Sequence, residues 1–466
     1  MGKRVIVIGG GFAGLAAAVE LSGGGVDVVL LERRKHLGGR AYSFLDTTTG
    51  DVVDNGQHLF MSCYRNTISF LSKIGTLDKL RFQPEPRVDF LDRENGFTSF
   101  KCPSLPAPLH AISGIFRLKG LTLGDKLRAL NVGRALGNTN KQPKDETVST
   151  WLQKLGQSQR IRDRFWNPMT IATLNEAPAT ASARMLGKVL EQSFGGGVAD
   201  SRLGLSSVGL SQLYTGAARS FVESREGQVR TAAEVHRLII EQDLVRGCEL
   251  KSGEFLEADC YISAVPPSAL GRMLTHETRR SYFPGLLALT SSPIVSMNLW
   301  FDRPVIKREF VGLLGTQVQW LFNRDLICHS GGRLNHVAIV ISAAYRYVNW
   351  TRQELVSLAR AELESLIPDV KHAELVHSRV VKEREATISH TVESDRLRPM
   401  AQTRVGNLVL AGDWTDTGLP ATIESAVVSG RRAAEVAANI AVSPNIIAAA
   451  TCSGGDESNS VGEPRI

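Results

Sequence analysis

A chain of 466 residues, 43% hydrophobic and 22% charged, is long enough for two connected domains around a large core and has the composition of an ordinary globular protein. Its 54 basic and 47 acidic side chains leave a formal charge of +7. That excess is too small and too scattered for the clustered basic face that nucleic-acid binding requires, although an anionic membrane surface stays open as a partner. No apolar run reaches the roughly 20 residues that cross a bilayer, and the N-terminus enters its first strand without room for a signal peptide, so the expected location is the cytoplasm. Cys63, Cys102, Cys248, Cys260, Cys328 and Cys452 show no Cys-x-x-Cys spacing and no neighbouring histidine cluster. This argues for reduced, structural thiols and against a metal site or a disulfide framework.

The first predicted element organises the rest. Val5-Ile-Val-Ile8 is an apolar, β-branched strand that breaks into Gly9, Gly11 and Gly14 and then into an Ala- and Leu-rich helix ending near Leu21. In such a unit Gly9 permits the sharp turn, Gly11 lets the backbone approach a pyrophosphate and Gly14 lets the helix sit close on the sheet, with its amide end toward the phosphates. A second strand, Val28-Val-Leu-Leu31, ends in Glu32, where an acid takes the hydroxyls of an adenosine ribose. The pattern is that of a dinucleotide-binding βαβ unit.

Arg33-Arg-Lys-His-Leu-Gly-Gly39-Arg40 follows directly. A nicotinamide enzyme has no need of a Gly-Gly-Arg at this distance, whereas flavoproteins of the glutathione-reductase-like superfamily use one to lay backbone and a cation along the FAD diphosphate. The stretch resembles the start of the amine oxidase and phytoene desaturase superfamily, which makes FAD the expected cofactor, with Arg33, Gly39 and Arg40 beside it. A hairpin then leads to Val52-Val-Asp54-Asn-Gly56-Gln57-His58-Leu-Phe-Met61 and a helix from Arg65 to Gly75. In related flavoproteins the loop at this place runs under the isoalloxazine. Gly56 and Gln57 are therefore expected at the cofactor, and Asp54 and His58 are the catalytic candidates. Read as scaffold, Asp54 is a turn residue bonding neighbouring amides and His58 a hydrogen-bonded structural group.

From about Arg81 the prolines 84, 86, 103, 106 and 108 break the chain, and a second domain begins. The segment Leu109 to Leu121 carries Ile112, Ile115, Phe116 and Leu118 with Arg117 and Lys119 close by, the composition of a short interfacial helix and equally of a core or lid helix. Helices are expected at Leu123–Leu136, Thr147–Leu155 and Ser211–Ser224. The pieces Gln228-Val-Arg-Thr, Val235-His-Arg-Leu-Ile-Ile-Glu, Cys248-Glu-Leu and Glu254-Phe-Leu-Glu-Ala-Asp alternate as a meander does, and Cys260-Tyr-Ile-Ser-Ala264 leads to a Pro-Pro turn. Strand-like stretches at Ile294–Phe301 and Val337–Ser342 precede an amphipathic helix, Arg352–Leu366, capped by Thr351 with Glu354 three residues on. Last, Leu408-Val-Leu-Ala delivers Gly412 and Asp413. A helix beginning near Ala421 then presents the amides of Thr422 and Ile423, which favour negative charge. Residues 443–466 read as disordered.

Four motifs narrow the resemblance: Asp54-Asn-Gly-Gln-His-Leu, Phe165-Trp-Asn-Pro with Ala172-Thr-Leu-Asn175 and Pro178, Asn298-Leu-Trp-Phe-Asp-Arg-Pro, and Gly412-Asp-Trp-Thr-Asp-Thr-Gly-Leu-Pro-Ala-Thr-Ile-Glu. Together they are similar to the bacterial hydroxysqualene dehydroxylases, over roughly Arg4 to Asn439. The resemblance implies an α/β fold with a glutathione-reductase-like, discontinuous FAD-binding Rossmann domain (1–80, 205–270 and 404–442) and an α+β substrate-binding domain of the amine oxidase and phytoene desaturase type (81–204 and 271–403). It also implies that the Val235 backbone meets the adenine, Ala264 lies near the dinucleotide, Asp413 stands at the ribityl-diphosphate, and Thr422 and Ile423 face the pyrimidine side of the ring. An aromatic residue and a lysine that amine oxidases use are replaced by Thr422 and Ser296. No cysteine lies between Cys328 and Cys452, so the FAD is expected to be noncovalent. The implied activity is reductive removal of the allylic hydroxyl of hydroxysqualene, a C30 isoprenoid lipid, giving squalene; the segment Leu109–Leu121 and the modest positive charge are expected to hold the chain peripherally at the inner face of the cytoplasmic membrane. A carotenoid-type desaturase or isomerase, of opposite redox direction, and a non-catalytic isoprenoid-binding escort protein are the alternatives.

Overall fold

In the computed structural model, which describes residues 3–22, 24–138, 142–329 and 334–442, the strand Arg4–Ile8 sits at the centre of a five-stranded sheet. The order is Gln228–Arg230, Asp27–Leu31, Arg4–Ile8, Cys260–Ser263, Leu408–Leu410, and every pair is parallel. A parallel sheet is covered on both faces, which is why its strands read as unbroken apolar runs. Val5, Val7, Val28 and Leu30 point into a core shared with the helices Phe12–Leu21 and Ile423–Val442. Ile6, Ile8, Val29 and Leu31 point the other way, into a core closed by the antiparallel strands Val235–Glu241 and Leu244–Leu250.

Gln228–Arg230 is a correction to the sequence reading. Expected to open the meander, it forms instead the edge of the parallel sheet, with Val229 opposite Leu30. Alternation alone does not distinguish these two destinations. The predicted disordered tail, 443–466, lies outside the described residues.

The second body is a seven-stranded sheet in the order Leu375–Ile388, Ser291–Phe301, Asn335–Ile341, Trp320–Asn323, Phe310–Leu314, Arg87–Asp92, Gly96–Lys101. Only Phe310–Leu314 and Arg87–Asp92 pair parallel; the other neighbours are antiparallel. One face is covered by the helix Arg352–Leu366, which buries Leu355, Ala359, Leu363 and Leu366. That helix starts with the predicted capping box: the Thr351 amide donates to Glu354 Oε2 at 2.7 Å and the Glu354 amide to Thr351 Oγ1 at 3.2 Å. Helices Leu109–Arg117, Leu123–Leu136, Val148–Lys154 and Ala183–Phe194 surround a separate core around Phe100, Phe165 and Trp166. The strand Leu203–Ser206 pairs with both Phe60–Met61 and Leu80–Phe82, so the domain boundary expected between 204 and 205 falls inside a strand. No helix among the described residues is long and apolar enough to cross a membrane.

Candidate cofactor and reaction site

The carboxyl ends of four neighbouring parallel strands converge on one place, because each is followed by a turn that was singled out from sequence: Gly9 after Ile8, Glu32 after Leu31, Ala264 after Ser263 and Gly412 after Leu410 and Ala411. In open α/β sheets ligands bind at this edge. Gly9 has φ +111°, and a Cβ there would lie 2.9 Å from the Ala264 carbonyl oxygen. At Gly14 a Cβ would lie 1.9 Å from the Gly9 carbonyl oxygen, so these two positions are closed to side chains by the protein itself. Gly11 differs. A Cβ there would meet only Gly39 Cα, at 3.6 Å, and the helix Phe12–Leu21 that starts beside it has no side-chain cap and no acid in its first turn. Free amide donors next to an open glycine surface make a cradle that fits a pyrophosphate.

Glu32 is buried, with Oε2 accepting from the Gly10 amide and Oε1 from the Arg34 amide, both at 2.8 Å. Backbone bonds from Ala232 to Arg34 (2.8 Å) and from Ala233 to Glu32 (2.9 Å) lay the approach to Val235 beside it. Arg33 is exposed; its neighbour Arg34 turns inward and donates to the Gly39 carbonyl at 3.1 Å. Arg40 pairs with Asp413 and also donates to the Ala386 carbonyl at 3.2 Å. The two flavin signatures, 373 residues apart, thus meet through a guanidinium and a carboxylate.

The loop from Gly412 to Thr422 is held by two residues that no motif had marked. Arg398, buried, donates to the carbonyls of Asp413 (3.0 Å), Thr415 (2.6 Å) and Leu419 (2.7 Å). His390 donates from Nδ1 to Asp395 at 3.0 Å and accepts the Ala421 amide at Nε2, 2.6 Å away. Thr422 is the cap of the helix expected near Ala421, accepting from the Ser425 amide at 3.2 Å, and Ile423 is the first helical residue. Glu424, in the first turn, accepts from the amides of Asn66 (3.0 Å) and Thr67 (2.8 Å) and so caps the helix Arg65–Lys73.

The loop expected under the isoalloxazine lies between the strands Val52–Asp54 and Phe60–Met61. Asp54 is 3% exposed, and both its oxygens are engaged: Oδ1 accepts from Ser43 Oγ (2.7 Å) and the Leu210 amide (2.9 Å), while Oδ2 pairs with Arg324 Nη2 at 3.1 Å. Arg324, 5% exposed, also donates from Nη1 to Gln57 Oε1 at 3.0 Å. Asn55 ties the loop to the Arg40 carbonyl at 2.9 Å. His58 donates from Nδ1 to the Gly56 carbonyl at 2.9 Å; the neutral ring therefore presents a bare Nε2. Burial holds the His58 pKa below the ordinary histidine value, against the pull of the Gly56 carbonyl and Asp54. Gly56 faces the buried hydroxyl of Ser296, which has no hydrogen-bond partner among the described residues. Arg324, like Arg398 and His390, was missed from sequence: it follows the strand Trp320–Asn323 with no surrounding motif.

In the second body a cavity of about 270 Å³ opens between the helices Leu109–Arg117, Leu123–Leu136 and Ala183–Phe194, lined by Phe100, Ile112, Ile115, Phe116, Phe165 and Trp166 among others. Among the described residues Lys126 and Glu191 are its only charged lining groups. The helix Leu109–Arg117 divides its apolar residues: Ile115 is 8% exposed and Leu118 just beyond the helix is buried, whereas Leu109 is 52% and Phe116 36% exposed.

A family model described as flavin containing amine oxidoreductase matches residues 12–438. The hydroxysqualene dehydroxylase of Rhodopseudomonas palustris is 30% identical over 441 residues, covering 94% of this chain and 98% of that protein. The 15-cis-phytoene desaturase of Narcissus pseudonarcissus is 26% identical over 93% of this chain and 79% of its own length. Among solved structures, an oxidoreductase from Methanosarcina mazei superposes with a TM-score of 0.71 at 16% identity, covering 93% of this chain and 100% of that one, a likeness of fold. The cradle at Gly11 and the paired signatures at Arg40 and Asp413 have the donor set that FAD needs, and the matches extend over nearly the whole chain: it belongs to the flavin containing amine oxidoreductase family, with the α/β FAD-binding fold of that family, and is an FAD-dependent oxidoreductase.

Proposed function

We propose that the enzyme removes the allylic hydroxyl of hydroxysqualene reductively, giving squalene for hopanoid or related triterpene synthesis. The observation that carries this reading is the similarity to hydroxysqualene dehydroxylases over nearly the whole chain; the apolar cavity, lined mostly by aliphatic and aromatic side chains, suits an isoprenoid chain, and Thr422 stands where amine oxidases place an aromatic residue. Bound FAD, when reduced, supplies a hydride. Chemically, the allylic carbon gains that hydride while the C–O bond breaks, and the departing oxygen takes up a proton and leaves as water. FAD would be held by the Gly11 cradle, Glu32 and the Arg40–Asp413 pair. What remains for the protein is to hold the carbon within ~3–3.5 Å of the donor and to assist the leaving oxygen. His58 gives that assistance, because once its ring takes a second proton at Nε2, that proton stands ready for the hydroxyl. Asp54 holds the loop from behind through Arg324, Ser43 and the Leu210 amide.

A phytoene-type desaturase is the second reading, favoured by the similarity to the phytoene desaturase and by the same cavity. The escort alternative is set aside, since the chain is an FAD-dependent oxidoreductase. Purified enzyme given hydroxysqualene with a reductant, and phytoene with an oxidant, separates the two by lipid analysis. Squalene from the first incubation alone supports dehydroxylation; desaturated carotene from the second alone contradicts it.

The reading includes peripheral attachment at the inner face of the cytoplasmic membrane. Leu105, Leu109, Phe116, Leu123 and Leu127 are exposed. Residues 101–138 carry Lys101, Arg117, Lys119, Lys126, Arg128 and Arg134 against one acid, Asp125, which is buried and bonded to Ser158 at 2.6 Å. Such a face suits anionic lipid. The double variant Leu109→Asp, Phe116→Asp forfeits at least ~3 kcal/mol of apolar burial, so its partition onto anionic liposomes is expected to fall about 10²-fold or more, and wild-type binding to weaken with salt. Equal partition of variant and wild type would contradict the attachment.

A further inference from the structure

We infer that Arg324 fixes the side-chain amide of Gln57 so that its NH2 group is presented as a hydrogen-bond donor to the hydroxyl oxygen of the substrate; Gln57 then determines specificity for an alcohol, and Arg324 is its positioning residue. The inference rests on the dehydroxylase reading and deepens it.

The orientation follows from chemistry. A guanidinium carries donors only, so the group 3.0 Å from Arg324 Nη1 must be the amide oxygen of Gln57, and the NH2 must point away. A flipped amide would set N–H against N–H. Arg324 itself is immobilised. Its Nη2 pairs with Asp54 Oδ2 at 3.1 Å. Its helix, Arg324–Cys328, is capped by Asn323, whose Oδ1 accepts from the Leu326 amide at 3.3 Å while its Nδ2 donates to the Ile306 carbonyl at 2.8 Å. Gln57 Nε2 has no acceptor among the described residues, and neither Nε2 of His58 nor Oγ of Ser296 has a partner there. The loop is thus anchored on its buried side and leaves the Gln57 amide donor without a partner among the described residues. A hydroxyl oxygen can accept from that amide, whereas a hydrocarbon of the same length leaves it unpaired, which is how a site built for a hydroxyl rejects an analogue without one. The contact from Gln57 also strengthens as negative charge grows on the departing oxygen.

Gln57→Glu tests this, because glutamate keeps an oxygen for Arg324 while exchanging the NH2 donor for a negatively charged acceptor oxygen. Single-turnover rate with hydroxysqualene, and flavin-absorbance titrations with hydroxysqualene and with squalene, are compared with wild type. The expected result is a loss of at least ~10²-fold in the hydroxysqualene rate, with squalene affinity, flavin content and flavin spectrum unchanged. Arg324→Lys, which keeps a cation for Asp54 but frees the amide, is expected to show a smaller loss of the same discrimination. An unchanged hydroxysqualene rate in Gln57→Glu, or equal weakening towards both lipids, overturns the inference. So does a shifted flavin spectrum with discrimination intact, which would assign the amide to FAD. A wild type that does not act on hydroxysqualene at all would remove the function reading itself, and the inference with it.

Discussion

Gly11→Leu is expected to yield a folded, colourless protein. Gly11 has φ −86° and ψ −172°, a conformation open to any residue, and the first carbon of a side chain there meets only Gly39 Cα at 3.6 Å. The polypeptide can therefore accept the substitution. FAD cannot, because the remaining carbons of leucine fill the space in front of the amides at the start of Phe12–Leu21, where the pyrophosphate belongs. Flavin absorbance after desalting should fall from about one FAD per chain to almost none, with far-ultraviolet circular dichroism unchanged. Gly14→Ala is the contrast: its Cβ would sit 1.9 Å from the Gly9 carbonyl oxygen, so this variant should lose stability as well as cofactor. A full flavin complement in Gly11→Leu would show that the cradle lies elsewhere.

His58→Ala is expected to slow the reductive half of turnover by ~10²–10⁴-fold, the usual worth of general acid assistance, while FAD stays bound. The pH dependence supplies the sign. Burial lowers the His58 pKa, so at neutral pH the doubly protonated ring that carries the transferable proton is a minority. Each unit of acidification then raises that population about tenfold until the lowered pKa is reached. The wild-type rate should climb as pH falls below 7, and the alanine variant should lose that slope. A wild-type profile that is flat, or that falls with acid while the fold persists, would remove His58 from the proton path.

Which parts of this site are legible in sequence follows from how far each interaction reaches. The glycine turn, Glu32 and the strands on either side are local: both faces of the parallel sheet are covered, so Val5–Ile8 and Val28–Leu31 show as continuous apolar runs beside their turn residues. The helix Arg352–Leu366 is legible for the same reason, its cap and its buried stripe lying within one segment. Arg324 is not. It reaches Gln57 across 267 positions, and its neighbours carry no pattern that marks it. Arg398 and His390 are hidden likewise, since their partners are mostly backbone atoms of a loop whose own sequence says nothing about what grips it. The helix at Leu109–Arg117 shows a different limit. Its composition marks it as amphipathic, but only the tertiary packing, with Gly114 set against the Phe100 ring, shows that Ile115 turns inward and Phe116 outward. Asp54 shows a third, because a carboxylate in a loop expected under a flavin reads as chemistry until Arg324, Ser43 and Leu210 are seen around it.

The most direct test of reductive dehydroxylation is anaerobic. Dithionite-reduced enzyme, freed of excess reductant, is mixed with hydroxysqualene in a stopped-flow spectrometer, and the lipids are analysed from the same mixture. Oxidised flavin absorbance is expected to return without oxygen, with one squalene formed per flavin reoxidised. Flavin that stays reduced in the presence of hydroxysqualene, while oxidised enzyme is bleached by phytoene, would contradict it.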